Sequence, residues 1–196
     1  MNRSTPDHSF IEWSFVWGCM FVRQWTFVIA ISFVIGVGVG VQLPTRTVTP
    51  PSAPARIEAY FTPDTECEDR IIAELGRATT IDIAVYSITN PKIADAIIAA
   101  HQRGASVRIV TDRTMAGHKS SMIDELAAAG IPVRTNRRYK IEHNKFAVFD
   151  NRRMVTGSYN WTTAATKYNS ENCIFLTHPV QKYSKRFEYL WNAYKK

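Results

Sequence analysis

The sequence predicts an α/β domain, a β-sheet sandwiched between helices, and two observations carry that expectation. Short β-branched runs alternate along the chain with longer segments whose apolar residues recur every three or four positions, a pattern that covers a sheet with helices on both faces. No internal repeat is present, and 196 residues suffice for one domain with its own core plus a short appendage.

Taken in order, the domain starts near Arg56 with a strand over residues 57–61. A helix over 68–78 carries Ile71, Ile72 and Leu75 on one face, and a buried strand spans 80–86. The next helix, 91–103, begins with Pro91, whose fixed φ suits a first turn. A strand over 107–111, a helix over 120–129 ended by Gly130, and a strand over 131–134 follow. An extended stretch, 141–150, then turns at Asn151-Arg152 into a short strand at 154–156, and a further strand covers 172–176. In the last segment Val180, Tyr183, Phe187, Leu190, Trp191 and Tyr194 stand three and four apart, the stripe of an amphipathic helix.

The appendage precedes the domain. Trp25 to Val41 is seventeen residues without a charge, slightly short of the roughly 20 that span a bilayer, and reads as a signal peptide or a signal-anchor helix within 25–43. Residues 1–24 carry Asp7 and Glu12 ahead of Arg23, an unusual start for an export signal, and Met20 offers a better one. Residues 44–55, with four prolines, form a linker to the domain at 56–196. The expected location is outside the cytoplasm: periplasmic, secreted, or anchored by the N-terminal helix. Export permits Cys67 and Cys173 to pair if the fold brings them together, but Cys173 lies in an apolar strand and reads first as a buried free thiol.

Chemistry concentrates in Ile141-Glu-His-Asn-Lys-Phe-Ala-Val-Phe-Asp150 and Gly157-Ser-Tyr-Asn-Trp161. His143 and Lys145 are two apart, which places an imidazole and an ammonium on one face of an extended strand. Asp150 lies five residues further on, roughly 16 Å along a strand, and reads as structural, an ion pair or a turn cap. Residues 56–196 carry 21 Lys and Arg against 15 Asp and Glu, and this net charge of +6 favours polyanions without selecting one. The densest basic run, Arg134, Arg137, Arg138 and Lys140, leads into His143; it reads equally as a solvated loop and as a substrate-binding one. Tyr139, Tyr159 and Trp161 read equally as rings that stack on bases and as packing aromatics, and for Trp161 packing is the better reading. Glu142-His143 has no second His or acid cluster at ligand spacing, so neither a metal nor any other cofactor is expected.

His143, Lys145 and Asp150 form an H-x-K-x4-D pattern, and Gly157, Ser158 and Asn160 a G-S-x-N one. With the stretches 84–91, 103–112 and 169–172, these blocks resemble the phospholipase D superfamily, and within it the small bacterial endonucleases that carry one motif per chain. The resemblance runs from about Arg56 to the C-terminus and implies a mixed sheet. It also implies that His143 attacks phosphorus, that Lys145, Asn160 and Ser158 hold the phosphate oxygens, and that Glu171 bonds the other imidazole nitrogen. Two-step phosphodiester hydrolysis needs a nucleophile and an acid on opposite sides of phosphorus, and His8, His101, His118 and His178 do not repeat the motif. The second histidine is therefore expected from a second chain, in a homodimer whose two-fold axis passes through the site.

The function expected is a metal-independent phosphodiesterase, foremost a sequence-nonspecific endonuclease acting on DNA or RNA. A phospholipase D acting on membrane phospholipid is the alternative, with the membrane reached through an uncleaved N-terminal segment. A non-catalytic nucleic-acid-binding envelope protein is a third reading, disfavoured by the intact motif.

Overall fold

The computed structural model describes residues 55–178 and 180–195. The region 1–24, the apolar segment 25–43 with its expected helix, and the linker up to residue 54 lie outside the described residues.

The elements are β1 (Ile57–Phe61), α1 (Glu66–Arg77), β2 (Thr80–Val85), α2 (Pro91–Gln102), β3 (Ser106–Thr111), α3 (Arg113–Ala116), α4 (Ile123–Ala128), β4 (Val133–Thr135), β5 (Lys145–Phe149), β6 (Arg153–Gly157), α5 (Thr163–Lys167), β7 (Asn172–Thr177) and α6 (Gln181–Ala193). Seven strands make one sheet in the order β1-β7-β6-β5-β2-β3-β4. β2, β3 and β4 pair in parallel, joined by helical crossovers, whereas every pairing from β2 through β5, β6 and β7 to β1 is antiparallel. The sheet is thus mixed, with helices on both faces.

Alternation along the central strands feeds two cores. On β5, Ala147 and Phe149 join Ile81, Ile83 and Val85 of β2 in the larger core under α1, α2 and α4, which also buries Tyr159 and Trp161. Phe146 and Val148 face the other way and meet Val180, Phe187, Leu190 and Tyr194, the apolar stripe of α6. Because β5 is covered on both faces it reads as a continuous apolar run rather than an alternating one. β1 is covered on one face only, and Ile57 and Phe61 are each 66% exposed.

Several boundaries differ from the sequence reading, for local reasons. The turn after β5 is centred on Asp150 and Asn151, not Asn151-Arg152: both have φ of 51° and Arg152 N donates to Phe149 O at 3.0 Å, the left-handed geometry that matches strand twist in a two-residue hairpin. The short α3 exists because Asp112 caps it, its carboxylate accepting from Thr114 N at 2.9 Å and Met115 N at 3.2 Å. Thr162 caps α5 in the same way, through Ala165 N at 3.0 Å. Cys173 is not a free thiol: it forms a disulfide with Cys67, Cα atoms 6.0 Å apart, which staples the start of α1 to β7. Tyr159 is 2% exposed and its hydroxyl meets Thr166 Oγ1 at 2.6 Å, so it packs and does not present itself to a base. Gly157 permits the close passage of β6 past β7, since a Cβ there would lie 2.2 Å from the Asn172 carbonyl oxygen.

Asp150 locks the far end of the sheet. Its Oδ1 accepts from Thr79 N at 2.8 Å, Thr79 Oγ1 at 2.9 Å and Thr80 N at 3.1 Å, while Oδ2 meets Arg153 Nη2 at 2.7 Å. Burial pushes this carboxyl up, but the Thr79 and Thr80 bonds and Arg153 together hold it down at about 2. A carboxyl depressed in the folded state stabilises fully above its unfolded value near 4, and that contribution is lost as pH falls toward 2. Asp150→Asn, which tolerates the positive φ, should cost about 1–3 kcal/mol at neutral pH. Urea denaturation across a pH series should show the gap to the wild type closing between about pH 4 and pH 2; a pH-independent gap would assign the cost to the turn alone.

Candidate active site

The site lies at the start of β5, where the peptide leading into the strand is fastened on three sides. Glu142, 1% exposed, donates its backbone N–H to Asp112 Oδ2 at 3.0 Å, so the carboxylate that caps α3 also holds this loop. The Glu142 carboxylate accepts from the Tyr194 hydroxyl at 2.5 Å and from the Asn144 side-chain amide. Burial first, then the Glu142 carboxylate, push the Tyr194 hydroxyl far above its ordinary range, so it stays a proton donor to that acid. On the remaining side Tyr86, the residue after β2, donates its N–H to Asn144 O at 2.8 Å.

This scaffold leaves His143 exposed between the buried Glu142 and the half-buried Asn144. It sits in the loop two residues ahead of β5 rather than within a strand, because β5 pairing begins at Lys145 opposite Val85. The imidazole nevertheless shares a face with Lys145: its ring centroid is 4.7 Å from that of Tyr86, and Lys145 Nζ is 5.1 Å from the same phenol ring and 2.9 Å from His143 O. Tyr86 is thus a platform for both groups. Burial pulls the Lys145 ammonium below its ordinary range, opposed by the negative charges of Glu171 and Glu142.

The end of β6 brings the G-S-x-N residues to the same edge of the sheet. Ser158 is held by β7: its N–H donates to Asn172 O at 3.1 Å and its Oγ accepts from Asn172 N at 3.0 Å, which leaves the hydroxyl proton to donate elsewhere. Asn160 has a buried Oδ1 without a hydrogen-bond partner among the described residues, and so does Ser87 Oγ. The parallel bridge between Ile88 and Trp161 sets Ser87 beside Asn160, so the two orphaned oxygens belong to facing positions. The amide oxygen accepts only, so a donor such as a water or a ligand hydroxyl would satisfy it, whereas the Ser87 hydroxyl can also donate.

Glu171 stands at the entry to β7. Its charge acts on Lys145, but among the described residues no hydrogen bond joins it to His143; Oε1 accepts from Asn169 Nδ2 at 3.1 Å instead. The basic run divides. Arg134 donates to Trp191 O and stacks 3.9 Å from the Trp191 ring, so it clamps α6 to β4, and with Arg137 it also lines a cleft of about 510 Å³. Arg137, Arg138 and Lys140 are exposed on a loop shaped by Asn136, whose Oδ1 accepts from Arg138 N at 3.0 Å and Tyr139 N at 2.9 Å. With Asp112 and Arg113 they border a polar cleft of about 120 Å³. Tyr86, Glu142 and Asp112 were not singled out as site residues from sequence; the first lay within the 84–91 stretch, and the roles of the others depend on partners far along the chain.

The family model described as "Cardiolipin synthase, PLD-like domain" matches residues 71–191. A mitochondrial cardiolipin hydrolase of Chlamydomonas reinhardtii is 35% identical over 157 residues, 79% of this chain and 70% of that protein. A phospholipase D of Rickettsia felis is 36% identical over 123 residues, 62% of each, so the chain spans less than two thirds of that relative. Among solved structures, Nuc from Salmonella typhimurium superposes with a TM-score of 0.69 at 28% identity, over 72% of this chain and 97% of Nuc.

Tyr194→Phe tests the anchoring of the His143 loop. Removing the hydroxyl leaves a buried carboxylate short of a donor and should cost about 1–3 kcal/mol in chemical denaturation; a loss under about 0.5 kcal/mol, the scatter of neutral substitutions, would mean that the bond does not hold the loop.

Proposed function

The chain belongs to the phospholipase D-like family and is a phosphodiesterase of that family, and from this premise we propose that it is a metal-independent endonuclease cutting DNA or RNA through a phosphohistidine. The observation that carries the nucleic-acid reading is the exposed basic loop of Arg137, Arg138 and Lys140, which runs into His143 and has no ion pair to a carboxylate among the described residues. Such a loop suits a substrate that carries charge on both sides of the scissile bond.

In the proposed reaction His143 attacks phosphorus and the P–O bond to the leaving alcohol breaks. His143 of a second copy gives that oxygen its proton, then takes a proton from water as the water attacks phosphorus, the P–N bond to the first His143 breaks, and the phosphomonoester leaves. Lys145 and the Asn160 amide hold the non-bridging oxygens as negative charge builds, and Ser158 supplies a hydroxyl proton. Glu171 fixes the imidazole tautomer once the site is complete. Exposure of His143 in one chain supports the two-copy arrangement, because a single imidazole cannot flank phosphorus on both sides. Export or anchoring by the N-terminal segment remains part of this reading.

The second reading is a phospholipase D acting on membrane lipid, with the same chemistry. It is favoured by the relatives named cardiolipin hydrolase and phospholipase D, and by Ile57 and Phe61, which leave an apolar stripe on the edge strand.

Full-length protein assayed in EDTA against plasmid DNA and phospholipid vesicles separates the readings by which substrate turns over. His143→Asn should lower turnover at least about a thousandfold. Subunits exchanged at equal ratio with the wild type should retain about a quarter of the activity if each site needs both histidines, whereas half would show sites complete within one chain.

A further inference from the structure

A second cluster of cations and rings lies outside the catalytic edge, on the outer side of α6. Arg186 has its guanidinium carbon 5.6 Å from the Tyr139 ring and 5.2 Å from the Tyr189 ring, and Arg138 stands 5.7 Å from the Tyr189 ring. The two tyrosine hydroxyls meet at 3.1 Å, and both rings are 40% exposed. The neighbouring acid, Glu188, is taken by Arg108 at 2.5 Å, and among the described residues neither Arg138 nor Arg186 has a carboxylate partner.

Two guanidiniums beside aromatic rings and without a carboxylate partner can take an anion. Stacking on an aromatic face orients the fork while leaving its N–H edges free, and a planar fork of donors matches the oxygens of a phosphodiester. Fastening α6 to the loop would not by itself require this arrangement, since Arg134 on Trp191 and Tyr194 on Glu142 already fasten the helix. The position is informative too. Tyr194 reaches the carboxylate next to His143, and Arg186 lies eight residues earlier on the same helical run, about 12 Å away at the rise of an α-helix. A separation of this order is a few phosphates of one strand.

We propose that Arg186 and Arg138, presented on Tyr139 and Tyr189, form a phosphate-binding exosite for the flanking backbone of a polynucleotide whose scissile phosphate lies at His143. The proposal rests on the nuclease reading and deepens it. It explains how a site that sees only one phosphodiester selects a polymer: a small diester fills the catalytic edge alone, whereas a strand also reaches α6. Hydroxyl-tipped rings interleaved with guanidiniums suit a solvated backbone better than the interior of a lipid surface.

Arg186→Gln in the full-length chain is the test, with an oligonucleotide, bis(4-nitrophenyl) phosphate and phosphatidylglycerol vesicles as the three substrates. For the oligonucleotide KM should rise about fivefold with kcat unchanged, and the slope of log affinity against log salt should shrink by about 0.7–0.9, the loss of one phosphate contact. Turnover of bis(4-nitrophenyl) phosphate should be unchanged, which also reports an intact fold. Tyr189→Phe, which keeps the ring, should leave the oligonucleotide KM near wild type. An unchanged oligonucleotide KM and salt slope would overturn the exosite while leaving the nuclease intact, as would equal losses on the small diester. A loss confined to vesicles would make the patch a lipid contact and refute the proposal. Wild-type protein that hydrolyses the small diester and lipid but no oligonucleotide would defeat the nuclease reading itself, and the exosite with it.

Discussion

The buried carboxylate of Glu142 is the contact on which the catalytic edge depends. It ties the chain just before β5 to the last turn of the C-terminal segment through Tyr194, and its own peptide is tied to the cap of α3 through Asp112. A charge that is 1% exposed is costly unless every lone pair is used, so the elements that supply its donors must be in place together. The result is a rigid seat from which His143 projects outward, flanked by the Tyr86 ring and the Lys145 ammonium. Exposure of the imidazole and burial of Glu142 beside it are two sides of one arrangement.

The rest of the sheet sets the relative placement of the two motif halves. β5 and β6 are adjacent and antiparallel, so the start of one and the end of the other lie at the same edge, bringing Lys145 and Ser158 to one rim. The hairpin between them closes at the opposite edge, where Asp150 binds the start of β2. This explains why an acid of the motif stands far from the chemistry: it fixes the register of β5 against β2, and a one-residue slip there would carry Lys145 to the other face.

Much of this was legible in the sequence because it is local. The spacing of His143 and Lys145, the stripe on α6 and the alternation of strands and helices are periodicities of two and of three to four residues, and the structure contains each of the corresponding elements or neighbours. What escaped depends on contacts far apart in the chain. Arg134 looks like part of a basic run until Trp191, 57 residues away, takes it. Tyr159 looks like a ring beside a motif until Thr166 and the larger core enclose it. The Cys67–Cys173 bond spans 106 residues and follows from β7 passing beneath the start of α1, which no local pattern encodes. Tyr86 belongs to the site only because β2 lies beside β5, a neighbour relation that periodicity leaves open.

The most direct measurement of the central claim is an acid-labile, alkali-stable label trapped on the protein. An oligonucleotide labelled at its internal phosphates, mixed with enzyme and quenched in alkali during turnover, should leave label on the peptide containing His143, and none when that residue is Asn. Turnover without any trapped label under conditions that slow the second step, or label on another residue, would contradict a phosphohistidine at His143.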